Sequence, residues 1–144
     1  MLRRNDMLNR LPRAGEVLAG MPGVQAAYVF GSVLDESRVT IRDVDFAVLT
    51  GRPLSLEDLG ALLLGLEQVL GTDCIDLVDL RGARRDLRFE VLSSGRLLFE
   101  RDATAVTAIR EQTLHEHLAT RHLTRLYHQL LRQEYHRSYA RAAR

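Results

Sequence analysis

A chain of 144 residues, 46% of them hydrophobic, is the size of one ordinary globular domain and can bury a core, so a single domain over residues 1–144 is expected. A single cysteine, Cys74, excludes an internal disulfide and any zinc site built from several thiolates, and all 20 basic residues are arginine, so no lysine can act as nucleophile or base. The net charge of +1 argues against a dedicated DNA binder, yet it is unevenly spread: residues 1–80 hold 7 Arg and 12 acids (−5), residues 81–144 hold 13 Arg and 7 acids (+6).

The opening MLRRNDMLNRLPRAGEVL has no apolar stretch or small-residue cleavage site of the kind a secretion signal needs. Apolar positions at Leu8, Leu11, Val17 and Leu18 predict a helix over 5–19 that ends at Gly20. VQAAYVF (24–30) reads as a buried strand, broken by Gly31, with a short turn or helix from Ser32; DVDFAVLT (43–50) reads as a second strand. Ser55 followed by Asp58, with a stop at Gly71, predicts a helix over 56–70. Its run ALLLGL is the longest apolar stretch and falls far short of the roughly 20 residues of a membrane span, so a cytoplasmic protein is expected. TDCIDLVDL (72–80) is a third strand, 86–92 a short helix ending at Gly95, and RLLFE (96–100) a fourth strand. From Ala103 there is no Pro or Gly, and Leu114, Leu118, Leu123, Leu126, Tyr127, Leu130 and Leu131 predict one long amphipathic helix or a helix pair. The expected fold is α/β or α+β: a small mixed sheet of about four strands covered by helices, with a core at 24–102 and a helical segment at 103–144.

In a strand, alternate side chains share a face, so Asp43 and Asp45 lie on one side with Ala47 and Leu49. Two carboxylates about 7 Å apart at their Cα atoms can converge on a hard cation, and magnesium favours a few carboxylates plus phosphate oxygens. The third strand offers Asp73, Asp76 and Asp79; strand parity puts Asp76 on the opposite face from Asp73 and Asp79, and as a central residue flanked by apolar ones, in IDLV, it would be held inside the sheet, so Asp76 is the candidate. Gly31 lets backbone approach a ligand closely, and amides at the start of a following turn, with the Ser32 hydroxyl, suit a phosphate. Phosphate donors on one turn and three carboxylates on neighbouring strands predict phosphoryl or nucleotidyl transfer.

Gly31-Ser32, ten intervening residues and Asp43-x-Asp45 resemble the signature of the polymerase-beta nucleotidyltransferase superfamily, and IDLVDL and VLSSGRLLFERD resemble its minimal branch, the antitoxins encoded beside HEPN toxins. The resemblance covers about residues 24–102. It implies a polymerase-beta-like fold, Mg²⁺ and ATP: Gly31 and Ser32 would hold the triphosphate, Asp43 and Asp45 would ligate both metals, and Asp76 would ligate one and help deprotonate the acceptor hydroxyl. It also implies transfer of AMP to a tyrosine of a partner HEPN ribonuclease in a hetero-oligomer. The chain departs from the family pattern at Leu34, Glu36 and Arg42, where small residues, Gly or Ser are usual.

Two other functions stay open at this point. One is an antitoxin that neutralises its toxin by binding alone; the other is a small-molecule, antibiotic-modifying nucleotidyltransferase, which generally carries a further helical domain for its acceptor. Cys74 is expected to be a small buried hydrophobe. His115, His117, His122, His128 and His136 include no i, i+4 pair and are expected at the surface. The basic tail from Arg121, with Tyr127, Tyr135 and Tyr139, fits either RNA or an acidic partner, or else a solvated helix whose tyrosines cap the core.

Overall fold

Two seven-residue runs, VQAAYVF and VDFAVLT, are apolar on nearly every position, the pattern of strands covered on both faces. In the computed structural model, which describes the backbone of residues 1–142 and the side chains of residues 1–134, they are the central strands β2 (Val24–Phe30) and β4 (Val44–Thr50). Around them lie β1 (Leu2–Arg3), α1 (Arg4–Ala19), a 3-10 turn (Gly31–Leu34), β3 (Thr40–Ile41), α2 (Leu56–Leu70), β5 (Ile75–Asp79), α3 (Arg85–Ser94), β6 (Arg96–Glu100) and α4 (Ala103–Ala142).

The main sheet has the order β5-β4-β2-β6, with β2 antiparallel to both β4 and β6 and β4 parallel to β5. Alternation along the strands gives each face its own helical cover. Ala27, Val29, Phe46 and Val48 pack under α1 and α2 through Leu11, Leu18, Leu62 and Leu66. Ala26, Tyr28, Ala47 and Leu49 pack under α3 and α4 through Val91, Val106 and Ile109. The mixed four-strand sheet covered by helices agrees with the sequence expectation.

Helix α2 has its foreseen ends because both caps are local. The Ser55 hydroxyl accepts the Asp58 N–H at 3.0 Å, and Gly71, at φ +70°, donates its N–H to Glu67 at 2.8 Å. Two expectations need correction. Strand β5 starts at Ile75 rather than at residue 72, since the Cys74 N–H turns back to the Thr72 hydroxyl at 3.1 Å and the Ile75 N–H to the Asp73 carbonyl at 2.9 Å. Cys74 is therefore an exposed free thiol on the approach to an edge strand, not a buried hydrophobe. Of the two arrangements expected after residue 103, the structure has the single helix, over 103–142. A two-stranded antiparallel ribbon, β1 with β3, was not foreseen.

Candidate active site

Asp45 is the second residue of β4 and stands level with Phe30 of β2 on one side and Asp76 of β5 on the other. Strands lie about 4.8 Å apart, so aligned residues of the parallel pair β4 and β5 present their side chains together on one face. Asp43 sits just before β4, whose start is pinned by the Val44 N–H bond to the Cys74 carbonyl at 3.0 Å. The structure thus brings Asp43, Asp45 and Asp76 together: each offers a carboxylate oxygen within 4.8 Å of the others. Asp73 and Asp79 stay outside this group. Asp79 instead accepts the Thr50 hydroxyl at 2.8 Å and the Arg81 N–H at 3.1 Å. Asp76 is exposed rather than enclosed, because β5 is the edge strand of the sheet.

Burial, then Asp43, Asp76 and Glu90, push the Asp45 carboxyl up to about 6. A cation would offset that repulsion, and the all-oxygen donor set of Asp43, Asp45 and Asp76 suits a hard divalent ion such as Mg²⁺. Glu90 comes from α3 and no sequence spacing signals it; only the return of α3 across the sheet brings it near.

Gly31 lies directly against the Asp45 carboxylate. Its φ is +76°, and a Cβ built on it would lie 2.5 Å from Asp45 Oδ2, so neither the backbone conformation nor the space admits a side chain. Beyond it a cleft of about 470 Å³, lined by Gly31, Ser32, Asp35, Arg38, Glu90 and Ser94, is of ligand-binding size. A second cleft of about 500 Å³, lined by Arg84, Arg85, Arg88 and His117, shares none of those residues and none of the three aspartates.

The linker between Ser32 and Asp43 is built around Asp35. Its carboxylate accepts the Ser37 N–H at 3.0 Å, the Ser37 hydroxyl at 2.6 Å and Arg38 Nε at 3.0 Å, bonds that hold it below the usual carboxylate range. Arg4 then ties the ribbon to the turn: its N–H reaches the Val39 carbonyl at 3.0 Å and its Nε the Val33 carbonyl at 2.8 Å. Of the departures from the family pattern, Leu34 packs against the core while Glu36 and Arg42 are exposed. His117 is not a plain surface histidine, since it stacks on Phe89 with ring centroids 3.6 Å apart. His115, His122 and His128 are exposed, as is Tyr127, which does not cap the core; the side chains of Tyr135, His136 and Tyr139 lie outside the described residues.

A polymerase beta nucleotidyltransferase family model matches residues 14–104, which hold the sheet, the Gly31-Ser32 turn and all three aspartates. Among solved structures, the toxin–antitoxin MntA-HepT is 24% identical with a TM-score of 0.60, over 83% of this chain and 95% of that one. A tri-AMPylated Shewanella oneidensis HEPN toxin in complex with MNT antitoxin is 24% identical, TM-score 0.58, over 82% and 95%. A toxin–antitoxin with AMP-PNP is 26% identical, TM-score 0.59, over 87% and 96%. No curated protein matches the chain. The match to more than half of its length shows that the chain belongs to the polymerase beta nucleotidyltransferase family.

Proposed function

We propose that the protein is an Mg²⁺-dependent adenylyltransferase of the antitoxin type, which moves AMP from ATP to a tyrosine hydroxyl of a partner HEPN ribonuclease. The observation that carries this reading is the convergence of Asp43, Asp45 and Asp76 within 4.8 Å beside the Gly31-Ser32 turn. The likeness to a toxin–antitoxin solved with AMP-PNP supports a nucleotide substrate, and the likeness to a tri-AMPylated HEPN toxin in complex with MNT antitoxin supports a partner protein as acceptor.

In this reading Gly31 and Ser32 supply hydrogen-bond donors to the triphosphate, and the cleft beyond them keeps room for the nucleotide. Asp43 and Asp45 hold the metal ions and Asp76 holds one of them. Mg²⁺ held by these carboxylates would supply the positive charge that offsets the triphosphate's. The tyrosine oxygen bonds to the α-phosphorus as the bond to pyrophosphate breaks, and Asp76 takes the hydroxyl proton. The exposure of Asp76 on the edge strand favours a bulky acceptor arriving from solvent.

The test is incubation of the chain with ATP labelled at the α-phosphate, Mg²⁺ and the product of the adjacent gene, the expected HEPN protein. Label should pass to the HEPN protein, and Asp43→Asn and Asp45→Asn should each slow that transfer at least about a hundredfold. Neutralisation of the toxin that persists in both variants with no label transferred would instead favour an antitoxin acting by binding alone.

A further inference from the structure

The cleft beside Gly31 is short of positive charge. Of the residues that line it, Asp35 and Glu90 are acids, Ser32 and Ser94 offer hydroxyls, and Arg38 is the one cation among the described residues. The three aspartates add to that excess, and Glu90 is close enough to raise the Asp45 carboxyl together with Asp43 and Asp76. A metal held by the aspartates would offset their own charge. A polyphosphate lying along the cleft past Ser32 would still meet Asp35 and Glu90, with Arg38 alone to balance them.

Arg38 is anchored for that task. A turn closes on it: its N–H donates to the Asp35 carbonyl at 3.1 Å, and its Nε donates to the Asp35 carboxylate at 3.0 Å. Asp35 is itself fixed by the Ser37 N–H at 3.0 Å and the Ser37 hydroxyl at 2.6 Å. The pair with Asp35 is the one ion pair that Arg38 makes among the described residues. It engages Nε and leaves the two terminal nitrogens without a protein acceptor among those residues. Their N–H groups form a planar fork that matches two oxygens of a phosphate, and a side chain already tied at Nε loses less freedom on binding. At 56% exposure the side chain is open to an incoming ligand.

The neighbouring cleft along the ribbon, which Arg38 also borders, sets Arg3 and Arg4 against Asp6 and Glu36. The cleft of Arg84, Arg85 and Arg88 shares no residue with the one beside Gly31. Neither supplies the missing charge.

We propose, resting on the transferase reading above, that Arg38, clamped by Asp35, binds the phosphates beyond the α-phosphate, so that the site selects a nucleoside triphosphate and holds the departing pyrophosphate. As the acceptor oxygen bonds to the α-phosphorus and loses its proton to Asp76, the bond to pyrophosphate breaks with its electron pair on the leaving oxygen. The Arg38 guanidinium balances part of that charge.

Titration calorimetry in Mg²⁺ with AMP-PNP, AMP and pyrophosphate tests this on the wild-type chain, Arg38→Gln and Arg38→Lys. The Gln variant should bind AMP-PNP and pyrophosphate about thirtyfold more weakly and AMP equally well, since only the first two carry the phosphates at issue. The Lys variant keeps the charge without the fork and should recover part of the loss; it also carries the test if the Gln variant does not fold. Equal weakening for AMP would mean that Arg38 shapes the turn rather than meets phosphate. Unchanged pyrophosphate binding would put the anion in another cleft, such as that of Arg84 and Arg85, and either result overturns the proposal. Labelling separates it from the transferase reading. A wild type that prefers AMP-PNP to AMP through Arg38 yet never labels the product of the adjacent gene sinks the transferase and leaves Arg38 its role. Label passing at the wild-type rate in Arg38→Gln at sub-saturating ATP does the reverse, and a wild type that binds none of the three ligands removes both.

Discussion

The Asp45 carboxyl is half-buried against Gly31 and repelled by Asp43, Asp76 and Glu90, which is why it titrates near 6 rather than near 3.8. A raised carboxylate binds its proton more tightly in the folded chain than in the unfolded one, so its contribution falls as pH rises from about 4 to about 6 and is then level. The metal-free wild type should therefore lose thermal stability over that window relative to Asp45→Asn, which keeps the shape and removes the charge. Above pH 6 the variant should melt at the higher temperature while transferring no label. Scanning calorimetry of both proteins in chelator from pH 4 to 8 checks it; parallel melting curves at every pH would contradict it. If the proposed metal site is formed by these carboxylates, Mg²⁺ should narrow the gap at pH 7, because only the folded wild-type chain would hold it. At this scale the sequence is readable where spacing does the work. Gly31-Ser32 and Asp43-x-Asp45 stand out by position, and strand parity separates Asp76 from Asp73 and Asp79. Glu90 and Arg38 do not stand out, since one reaches the site only by the path of α3 and the other only by the turn that Asp35 organises.

Elements with their own start and stop chemistry were legible in full. The Ser55 cap and left-handed Gly71 bound α2 without help from the rest of the fold, and the apolar run of β2 is bounded by Gly23 and Gly31. The ribbon of β1 with β3 was not legible, because two residues carry no periodicity and the pairing of Leu2 with Ile41 exists only once the chain has folded back. Its role is mechanical: it carries Arg4 to the Val33 and Val39 carbonyls, and so braces the 3-10 turn from behind. Arg4→Ala removes the side-chain bond to the turn, a loss of about 1 to 2 kcal/mol. Because that bond braces the turn proposed to hold the triphosphate and touches no carboxylate, the KM for ATP should rise several-fold while kcat changes less. Steady-state label transfer at varied ATP measures both; a fall in kcat alone would mean that the turn is not what Arg4 supports.

The two halves of the molecule divide the work along the charge boundary seen in the sequence. The three aspartates lie in the acidic half, and the arginines of the second half run from Arg81 through α3 and β6 into the long α4. What the sequence left undecided, one helix or two after residue 103, depends on where α4 stops touching the domain, and periodicity alone does not say when a partner surface ends. The buried apolar residues run from Met7 to Val106, and both layers of the sheet are closed by α1, α2, α3 and the first part of α4. Residues 121–134 are exposed throughout and add nothing to either layer. A chain ended after Thr120 should therefore still melt in one cooperative step, with Tm within about 4 °C of the full chain, the shift that roughly 1 kcal/mol makes at this size. It should keep the Mg²⁺-dependent rise in Tm, because all three aspartates and the Gly31 turn remain. Circular dichroism melts with and without Mg²⁺ read both quantities. A collapse of the cooperative transition would show instead that the distal helix folds back to hold the domain together, and its leucines would then be part of the core rather than a surface.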